Sequence, residues 1–426
     1  MSELTVKIPF GHSYLNITLS KERLRLVKSN PYPPLTMSSS QVVERSLQSP
    51  VGGKRLSELA QSCKEMVVIT SDQTRALPSS VTLPPLFSEA RRFNPSLRIV
   101  LLVATGLHRP MTKSEIMEKF GSQVLDTCSV VVHDANDPKQ LVTLDPLSTG
   151  TPLIVNRIAY ESELLITEGL VEPHFFAGFS GGRKSILPGI CGYETIMSNH
   201  SPLNISYQAA TSGNLEGNPI HIEALEAAQK LNVRFTLNTV IDLEGTIRAC
   251  FAGDLDSSFR KAVEFVKHHT MVNVPRSPVT VVSNLGYPLD RDLYQGVKGI
   301  FTGSLVTEEG GMVILVAECQ DGIGHENFYK IFLGQNSPDS IYNKILSGAI
   351  TGRDLWQVQV LAKVLMRNRV VVVTGNKITS EIASNMFLLR FNSIDEALAQ
   401  AEAWYGAHCQ VNVIPEGPGV IPKPVI

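Results

Sequence analysis

Short runs of apolar, mostly β-branched residues recur along the N-terminal half of the chain, and each stops at a cluster of Gly, Ser, Asp or Thr. This pattern is typical of buried parallel strands that feed into loops. It predicts strands at 66–70, 97–104, 129–133, 164–167 and 235–242. Helix-like stretches separate them and predict helices at 57–63, 85–92, 113–120 and 220–231. This alternation of strand and helix favours the α/β class with a mainly parallel sheet.

A second series of elements follows a proline-containing stretch at 272–278, VNVPRSP. It predicts strands at 279–283, 312–317 and 370–374 and a helix at 354–366. Proline-containing polar stretches are common at domain boundaries. We therefore expect two α/β domains, 1–272 and 273–426, with mainly parallel sheets and an active-site cleft between them. The Gly/Pro-rich tail at 415–424 is expected to be an ordered loop.

Composition narrows the class of protein. The 426 residues include 38 Lys+Arg and 40 Asp+Glu, so the formal charge is only -2, and nucleic acid is not an expected partner. Apolar runs are far shorter than the roughly 20 residues that span a bilayer, and the N-terminus lacks a secretory signal pattern. We expect a cytoplasmic protein without a membrane partner. The six cysteines are scattered along the chain, so we expect them to be reduced thiols that do not bind a metal.

The stretch 168–189 carries the strongest chemical signal. It follows a predicted strand, and its notable residues are Gly178, Ser180, Gly181, Gly182, Arg183 and Lys184. Glycines let backbone N–H groups converge on an anion, and Arg and Lys supply charge, so the stretch suits a phosphate-bearing ligand. A Gly-rich surface turn beside a solvated Arg–Lys pair is the alternative. A P-loop NTPase is rejected because Arg183 stands where that pattern needs glycine.

Two further loops follow predicted strands, at 71–75 and 105–109. In an open parallel sheet such loops face a common crevice, so the side chains that could converge there are Asp72, Arg75, His108 and His174. Each also has an ordinary explanation: a turn or helix cap for Asp72, a surface ion pair for Arg75, and a packing role for either histidine.

Paired histidines on opposite sides of a substrate carbon would suit a racemase or epimerase, because imidazole serves as either acid or base near neutral pH. Arg75 would suit a carboxylate. The C2 hydrogen of a 2-hydroxy acid is too weakly acidic for histidine alone, so such a reaction needs a hydride acceptor.

Five segments together closely resemble the nickel-dependent lactate racemase family. They are SDQTR at 71–75, TGLHRP at 105–110, HFFAGFSGGRKSILPGI at 174–190, TIMSNH at 195–200 and GYPLDRDLYQGVKG at 286–299. The resemblance implies a nickel-pincer nucleotide cofactor, Ni(II)-pyridinium-3,5-bisthiocarboxylic acid mononucleotide. It also implies that other, cofactor-biosynthesis proteins must supply and load this cofactor.

The resemblance also implies roles for individual residues. Lys184 would attach the cofactor covalently through a thioamide, and His200 would be the protein ligand to nickel, with two sulfurs and a ring carbon of the cofactor completing the plane. His108 and His174 would be the acid/base pair. Other implied contacts are to the cofactor from Asp72, Gln73, Thr74, Arg75, Ser180, Gly181 and Gly182, and to the substrate carboxylate from Arg75, Gln295 and Lys298.

Taken without the resemblance, His200 would be a turn histidine, and Gln295 and Lys298 would be part of a polar helix face. The implied mechanism is hydride transfer. One histidine takes the hydroxyl proton while the C2 hydrogen leaves as hydride, and return to the other face inverts C2. Ala76 and Pro173, which flank the site, depart from the pattern of the family, so the resemblance is a weaker guide to substrate preference than to the chemistry.

The expected function is therefore inversion of C2 in a small 2-hydroxy acid. The favoured substrate is lactate or a related short aliphatic 2-hydroxy acid. A malate racemase or a gluconate-type sugar-acid 2-epimerase with the same cofactor is the alternative. A non-catalytic nucleotide or cofactor carrier is the alternative from a different class. An NAD dehydrogenase is disfavoured because no G-x-G-x-x-G opens the first βαβ unit. The sequence leaves the oligomeric state open.

Overall fold

The computed structural model describes residues 2–425, and its strands lie throughout that range. In chain order they are β1 (Glu3–Phe10), β2 (Ser13–Ser20), β3 (Leu24–Leu26), β4 (Glu65–Ser71), β5 (Arg98–Ala104), β6 (Ser129–Val132), β7 (Leu141–Leu144), β8 (Leu153–Asn156), β9 (Leu165–Leu170), β10 (Pro173–His174), β11 (Gly178–Phe179), β12 (Phe235–Ile241), β13 (Ile247–Gly253), β14 (Met271–Pro275), β15 (Ser277–Ser283), β16 (Thr307–Val316), β17 (Arg369–Val373), β18 (Leu389–Phe391), β19 (Val411–Ile414) and β20 (Ile421–Val425).

The helices alternate with these strands. In chain order they are α1 (Ser39–Gln48), α2 (Leu56–Ala60), α3 (Ser79–Arg91), α4 (Lys113–Phe120), α5 (Ser122–Leu125), α6 (Arg157–Tyr160), α7 (Tyr193–Asn199), α8 (Pro202–Ser206), α9 (Pro219–Lys230), α10 (Ser257–Thr270), α11 (Leu293–Ser304), α12 (Glu326–Lys330), α13 (Pro338–Leu346), α14 (Leu355–Leu365), α15 (Ser380–Asn385) and α16 (Ile394–Tyr405). Two short 3₁₀ helices span Gly182–Ser185 and Gly417–Gly419. No helix within residues 2–425 is long and apolar enough to cross a bilayer.

The chain forms two compact units. The large unit contains residues 31–200 and 207–267, and the small unit contains residues 2–30, 201–206 and 268–425. The predicted first domain of 1–272 therefore differs from the structure at its start. Residues 2–30 pack with the C-terminal part because β3 pairs with β19, and the hairpin β1–β2 buries Ile8 and Ile17 in that unit's core.

The large unit is built on one sheet with strand order β13-β12-β9-β4-β5-β6, and every pairing in it is parallel except that between β12 and β13. Side chains of β4 alternate between two apolar cores: Met66 and Val68 face one, whereas Val67 and Ile69 face the other. A sheet that buries both faces needs helices on both sides, which explains the nearly continuous apolar run of this strand.

The small unit has a fully parallel sheet with strand order β18-β17-β16-β15-β19-β3. The hairpin β1–β2 and helix α16 cover one face of it, where Val281 and Ile314 are fully buried. Helix α11 directly follows the loop after β15 and packs on the sheet through Val297 and Ile300, which are also fully buried.

The α/β class with mainly parallel sheets is confirmed, and each predicted strand or helix named above overlaps an observed one. Helix α4 begins with a capping box, in which the side chains of Thr112 and Glu115 each accept a hydrogen bond from the other residue's backbone N–H. The expected boundary near 272–278 lies close to residue 268, where the last segment of the small unit begins. One expectation was wrong in part: the tail at 415–424 is not only loop, because its end lies in β20, which pairs with β14. Pro275 stands at the end of β14, where a missing N–H is tolerated.

Candidate active site

The order of strands in the large unit reverses between β4 and β9, because β5 and β6 continue on one side and β12 on the other. In open parallel sheets, ligands bind beyond the carboxyl ends of the strands at such a switch point. The loop 72–77 follows β4, and a long loop at 171–181, which includes the two-residue strands β10 and β11, follows β9. A third loop, 105–112, follows the neighbouring β5. These three loops carry most of the residues that the sequence analysis singled out.

Asp72 and His108 form a pair across the loops after β4 and β5. His108 Nδ1 lies 2.7 Å from Asp72 Oδ2, while the Thr74 hydroxyl and N–H donate to Asp72 Oδ1 at 2.6 and 3.0 Å. Asp72 is only 2% exposed, whereas half of the His108 side chain reaches solvent. Burial alone would raise the Asp72 pKa, but the hydrogen bonds from His108 and Thr74 outweigh it and hold that pKa below its usual value.

An ionised Asp72 can only accept, so the His108 proton lies on Nδ1 and the neutral ring keeps its lone pair on Nε2. His174 has the opposite arrangement. Its Nδ1 accepts a hydrogen bond from the Ala177 N–H at 3.3 Å, which puts the proton of the neutral ring on Nε2. In their neutral forms the two histidines therefore offer an acceptor Nε2 on His108 and a donor Nε2–H on His174.

Arg75 ends the loop segment 72–75 and forms an ion pair with Glu172 of the loop after β9. Arg75 Nη1 lies 3.0 Å from Glu172 Oε1, and both side chains are partly exposed. In the same region, Ser71 Oγ and Gln73 Oε1 are buried without a hydrogen-bond partner in the structure. Buried polar atoms are normally hydrogen-bonded, so these two atoms indicate a place where a polar ligand would fit.

A lysine of helix α4 also holds the loop after β4 in place. Lys119 of α4 donates to the backbone carbonyls of Arg75 and Leu77 at 3.0 and 3.4 Å. Burial lowers the Lys119 pKa, and the nearby carboxylates of Glu168 and Asp72 oppose that shift. Glu168 itself is fully buried, where it accepts hydrogen bonds from nearby hydroxyl groups, including that of Thr70 at 2.5 Å. Sequence reasoning gave neither Lys119 nor Glu168 a role.

Phe176 lies among three of the predicted residues. Its ring centroid is 4.6 Å from that of His174, 5.1 Å from that of His200, and 5.8 Å from Lys184 Nζ. His200 follows the last residue of α7 and is 7% exposed. Burial, helped by the charge of Lys184, lowers the pKa of His200 to about 3, so its ring is neutral as a metal ligand must be.

Arg183 of the glycine-rich stretch forms most of its contacts inside the protein. Arg183 is 1% exposed, and its guanidinium donates to His221 Nδ1 and to four backbone carbonyls, those of Ala177, Phe179, Ser180 and Gly181. Arg183 therefore directs its N–H groups to His221 and to the backbone of the protein. Burial lowers its pKa to about 9.

The neighbouring glycines are needed for close packing. A Cβ on Gly181 would lie 2.6 Å from Val171, and one on Gly182 would lie 3.0 Å from the Phe259 ring, both at positive φ. The Ser180 hydroxyl donates to the Leu170 carbonyl at 2.7 Å. A ligand at this stretch would thus meet backbone groups rather than the Ser180 side chain, and cofactor contacts by 180–182 stay a prediction.

Gln295 and Lys298 belong to the small unit, on the first turns of α11. Lys298 Nζ donates to Gln295 Oε1 at 2.7 Å, and the Asp292 carboxylate caps the helix by accepting from the Gln295 N–H at 2.8 Å. Tyr294, the residue before Gln295, stacks on His325 with ring centroids 4.0 Å apart. The structure therefore describes these two polar residues as neighbours on one helix.

His325 in turn pairs with Asp354, whose Oδ1 lies 3.1 Å from His325 Nδ1. That hydrogen bond raises the His325 pKa despite partial burial. Neither His325 nor Asp354 belongs to a sequence motif that could have identified it beforehand.

The six cysteines are free thiols, as the sequence predicted. Within residues 2–425, no group of three or more His, Cys, Asp and Glu side chains could hold a metal ion.

Two family models match the chain: the lactate racemase N-terminal domain at residues 10–213 and the lactate racemase C-terminal domain at residues 272–422. Lactate racemase of Thermoanaerobacterium thermosaccharolyticum is 41% identical over 421 residues, which is 98% of each chain. Lactate racemase of Lactiplantibacillus plantarum is 38% identical over 389 residues, covering 91% of this chain and 92% of the relative.

Two solved structures are similar in fold to this chain. The lactate racemase apoprotein from T. thermosaccharolyticum superimposes with a TM-score of 0.95 over 99% of this chain and 100% of that one, at 41% identity. A Thermotoga maritima protein shares the fold, with a TM-score of 0.66 at 20% identity over 93% of this chain and 100% of its own. The chain therefore belongs to the lactate racemase family and is an isomerase of the racemase class.

Proposed function

We propose that this protein interconverts the two enantiomers of lactate by hydride transfer, with His108 and His174 as the acid/base pair. The observation that carries the proposal is the hydrogen-bonded pair of Asp72 and His108, which leaves the lone pair of His108 on Nε2 at the sheet edge that also carries His174. The curated relatives named lactate racemase, at 41% and 38% identity, support the choice of substrate.

In this proposal His108 Nε2 accepts the hydroxyl proton of one enantiomer, and the imidazolium form of His174 donates a proton to the oxygen when the other enantiomer forms, which leaves His108 protonated and His174 neutral. The reverse reaction exchanges their roles. Asp72 keeps the His108 proton on Nδ1 throughout, since its depressed pKa leaves it ionised. Arg75 binds the substrate carboxylate, and Gln295 and Lys298 are proposed as further contacts to it.

We also propose that the protein binds the nickel-pincer nucleotide, with Lys184 attached covalently and His200 as the metal ligand. Three features support this fit: the neutral buried imidazole of His200, its closeness to Lys184 around Phe176, and the unpartnered buried oxygens of Ser71 and Gln73. When bound, the cofactor would supply the hydride acceptor that histidine cannot replace. Separate biosynthesis proteins would supply and load it.

The test is incubation of cofactor-loaded protein with either pure enantiomer of lactate, followed by chiral analysis. Both reactions should approach equal amounts of the two enantiomers. His108→Ala or His174→Ala should abolish the inversion of lactate, while the intact mass still shows the adduct on Lys184. Loaded protein that leaves both enantiomers unchanged would refute the function. Inversion by protein without adduct or nickel would refute the cofactor.

A further inference from the structure

The ion pair between Arg75 and Glu172 places a carboxylate of the protein at the residue proposed to bind the substrate carboxylate. It links the loop after β4 to the loop after β9, on the two sides of the switch point. Glu172 lies two residues before His174. Its charge is therefore part of the same sheet edge as the proposed acid/base pair.

The backbone of Glu172 is fixed, so its charge has a defined position. The Ser180 hydroxyl lies 3.0 Å from the Glu172 N–H, and the Ser180 N–H donates to the Glu172 carbonyl at 2.9 Å. The side chain remains 41% exposed and that of Arg75 31% exposed. Ion pairs with this much exposure contribute little to folding stability, so the pair is not explained by the fold.

The pair also changes what charge the site can neutralise. Glu172 accepts from Nη1 of Arg75, and the guanidinium has further N–H groups that can hold one substrate carboxylate. Arg75 and Glu172 together carry no net charge, and Asp72 next to them is ionised. Lys119 points its ammonium at the backbone below the loop, and Lys184 is the proposed attachment point of the cofactor. A second carboxylate on the substrate would bring a further negative charge to the sheet edge that already carries Glu172 and Asp72.

We propose that Glu172 makes the site selective for 2-hydroxy acids with a single carboxylate and excludes dicarboxylates such as malate. This inference rests on the proposed function, because it concerns the substrate of the same site. Like charges a few Å apart near a protein surface repel enough to change a rate constant by about tenfold or more.

The experiment compares kcat/KM for lactate and for malate in cofactor-loaded wild type and in Glu172→Gln. Glutamine keeps the shape and an acceptor for Arg75 while it removes the charge, so the malate-to-lactate ratio should rise by about tenfold. Glu172→Asp, which keeps the charge, should leave the ratio low. Glu264→Gln removes a charge from the exposed face of α10 and should not change either rate constant.

An unchanged ratio in Glu172→Gln would overturn the inference, and so would loss of turnover on both substrates, since Glu172 would then act in the reaction itself. The wild type separates this outcome from failure of the function. Wild type that inverts lactate, together with an unchanged ratio in the variant, refutes only the selectivity. Loaded wild type that inverts neither acid refutes the proposed function and the selectivity with it.

Discussion

Replacing Asp72 by asparagine should remove the basic nitrogen of His108 while leaving its ring in place. Thr74 donates two hydrogen bonds to Asp72 Oδ1, so the asparagine carbonyl oxygen will keep that position. The asparagine NH₂ group then faces His108 Nδ1, where the carboxylate oxygen lay at 2.7 Å. A neutral His108 must accept this bond at Nδ1, and its proton moves to Nε2.

The magnitude follows from the role that His108 loses. A positioned general base typically contributes about 10²- to 10⁴-fold to a rate, so kcat should fall by that factor, or about 3–5 kcal/mol in the activation barrier. Folding stability at neutral pH should change much less, by about 1 kcal/mol, because the hydrogen bonds from Thr74 remain.

The pH dependence of stability has a definite sign. The folded-state pKa of Asp72 is depressed, so its ionised form stabilises the protein above the unfolded-state pKa of about 3.9, and this contribution is lost as pH falls through the lower folded value. Asp72→Asn should lack this acid-dependent contribution, which urea denaturation of the unloaded protein at several pH values would measure.

The assay is steady-state inversion of both lactate enantiomers by loaded Asp72→Asn, with nitrogen NMR of the unloaded protein to identify the His108 tautomer. Thr74→Val is the control, because it removes one donor to Oδ1 but keeps the carboxylate, and it should lower kcat far less. Near-wild-type turnover in Asp72→Asn, or a proton that stays on Nδ1, would refute the assignment of His108 as the base.

Three further predictions concern residues that hold the site or its supports. Lys119→Met should release the loop after β4 and lower kcat/KM by about tenfold through misplaced groups, whereas Lys119→Arg should recover part of the loss in the same assay. Arg183→Met should lower the free energy of unfolding of the unloaded protein by at least about 3 kcal/mol in chemical denaturation, because several buried carbonyls lose their donor. A smaller decrease would mean that these hydrogen bonds of Arg183 contribute little to stability. The His325 pKa should lie above 6.5 by proton NMR and fall in Asp354→Asn, and its stabilisation should be present below pH 6.5 and fade as pH rises through the raised value; an identical titration in both proteins would contradict the pairing.

The strands that carry the site were predictable because their signal is local. The run at 66–70 is apolar on both faces since β4 is covered on both sides, and the polar loop after it must then lie at the carboxyl edge. The convergence of Asp72 and His108 followed from parallel pairing alone, and the structure places them 2.7 Å apart.

Other features depend on contacts between residues far apart in sequence, which no local pattern encodes. Leu24 pairs with Val411, so residues 2–30 belong to the same unit as the C-terminal residues, although their composition does not predict this. Arg183 resembled a solvated cation because arginine is mostly exposed in proteins, whereas here four carbonyls make its burial possible. The ion pair of Arg75 with Glu172 likewise depends on the arrangement of two loops.

Inversion of lactate that carries deuterium at C2, in ordinary water, tests the central proposal most directly. If the histidines handle only the hydroxyl proton and C2 hydrogen moves as hydride, the opposite enantiomer should form with deuterium retained at C2. Inversion with deuterium replaced by solvent hydrogen would mean that a histidine removes C2 hydrogen as a proton, and it would contradict the proposed roles of His108 and His174.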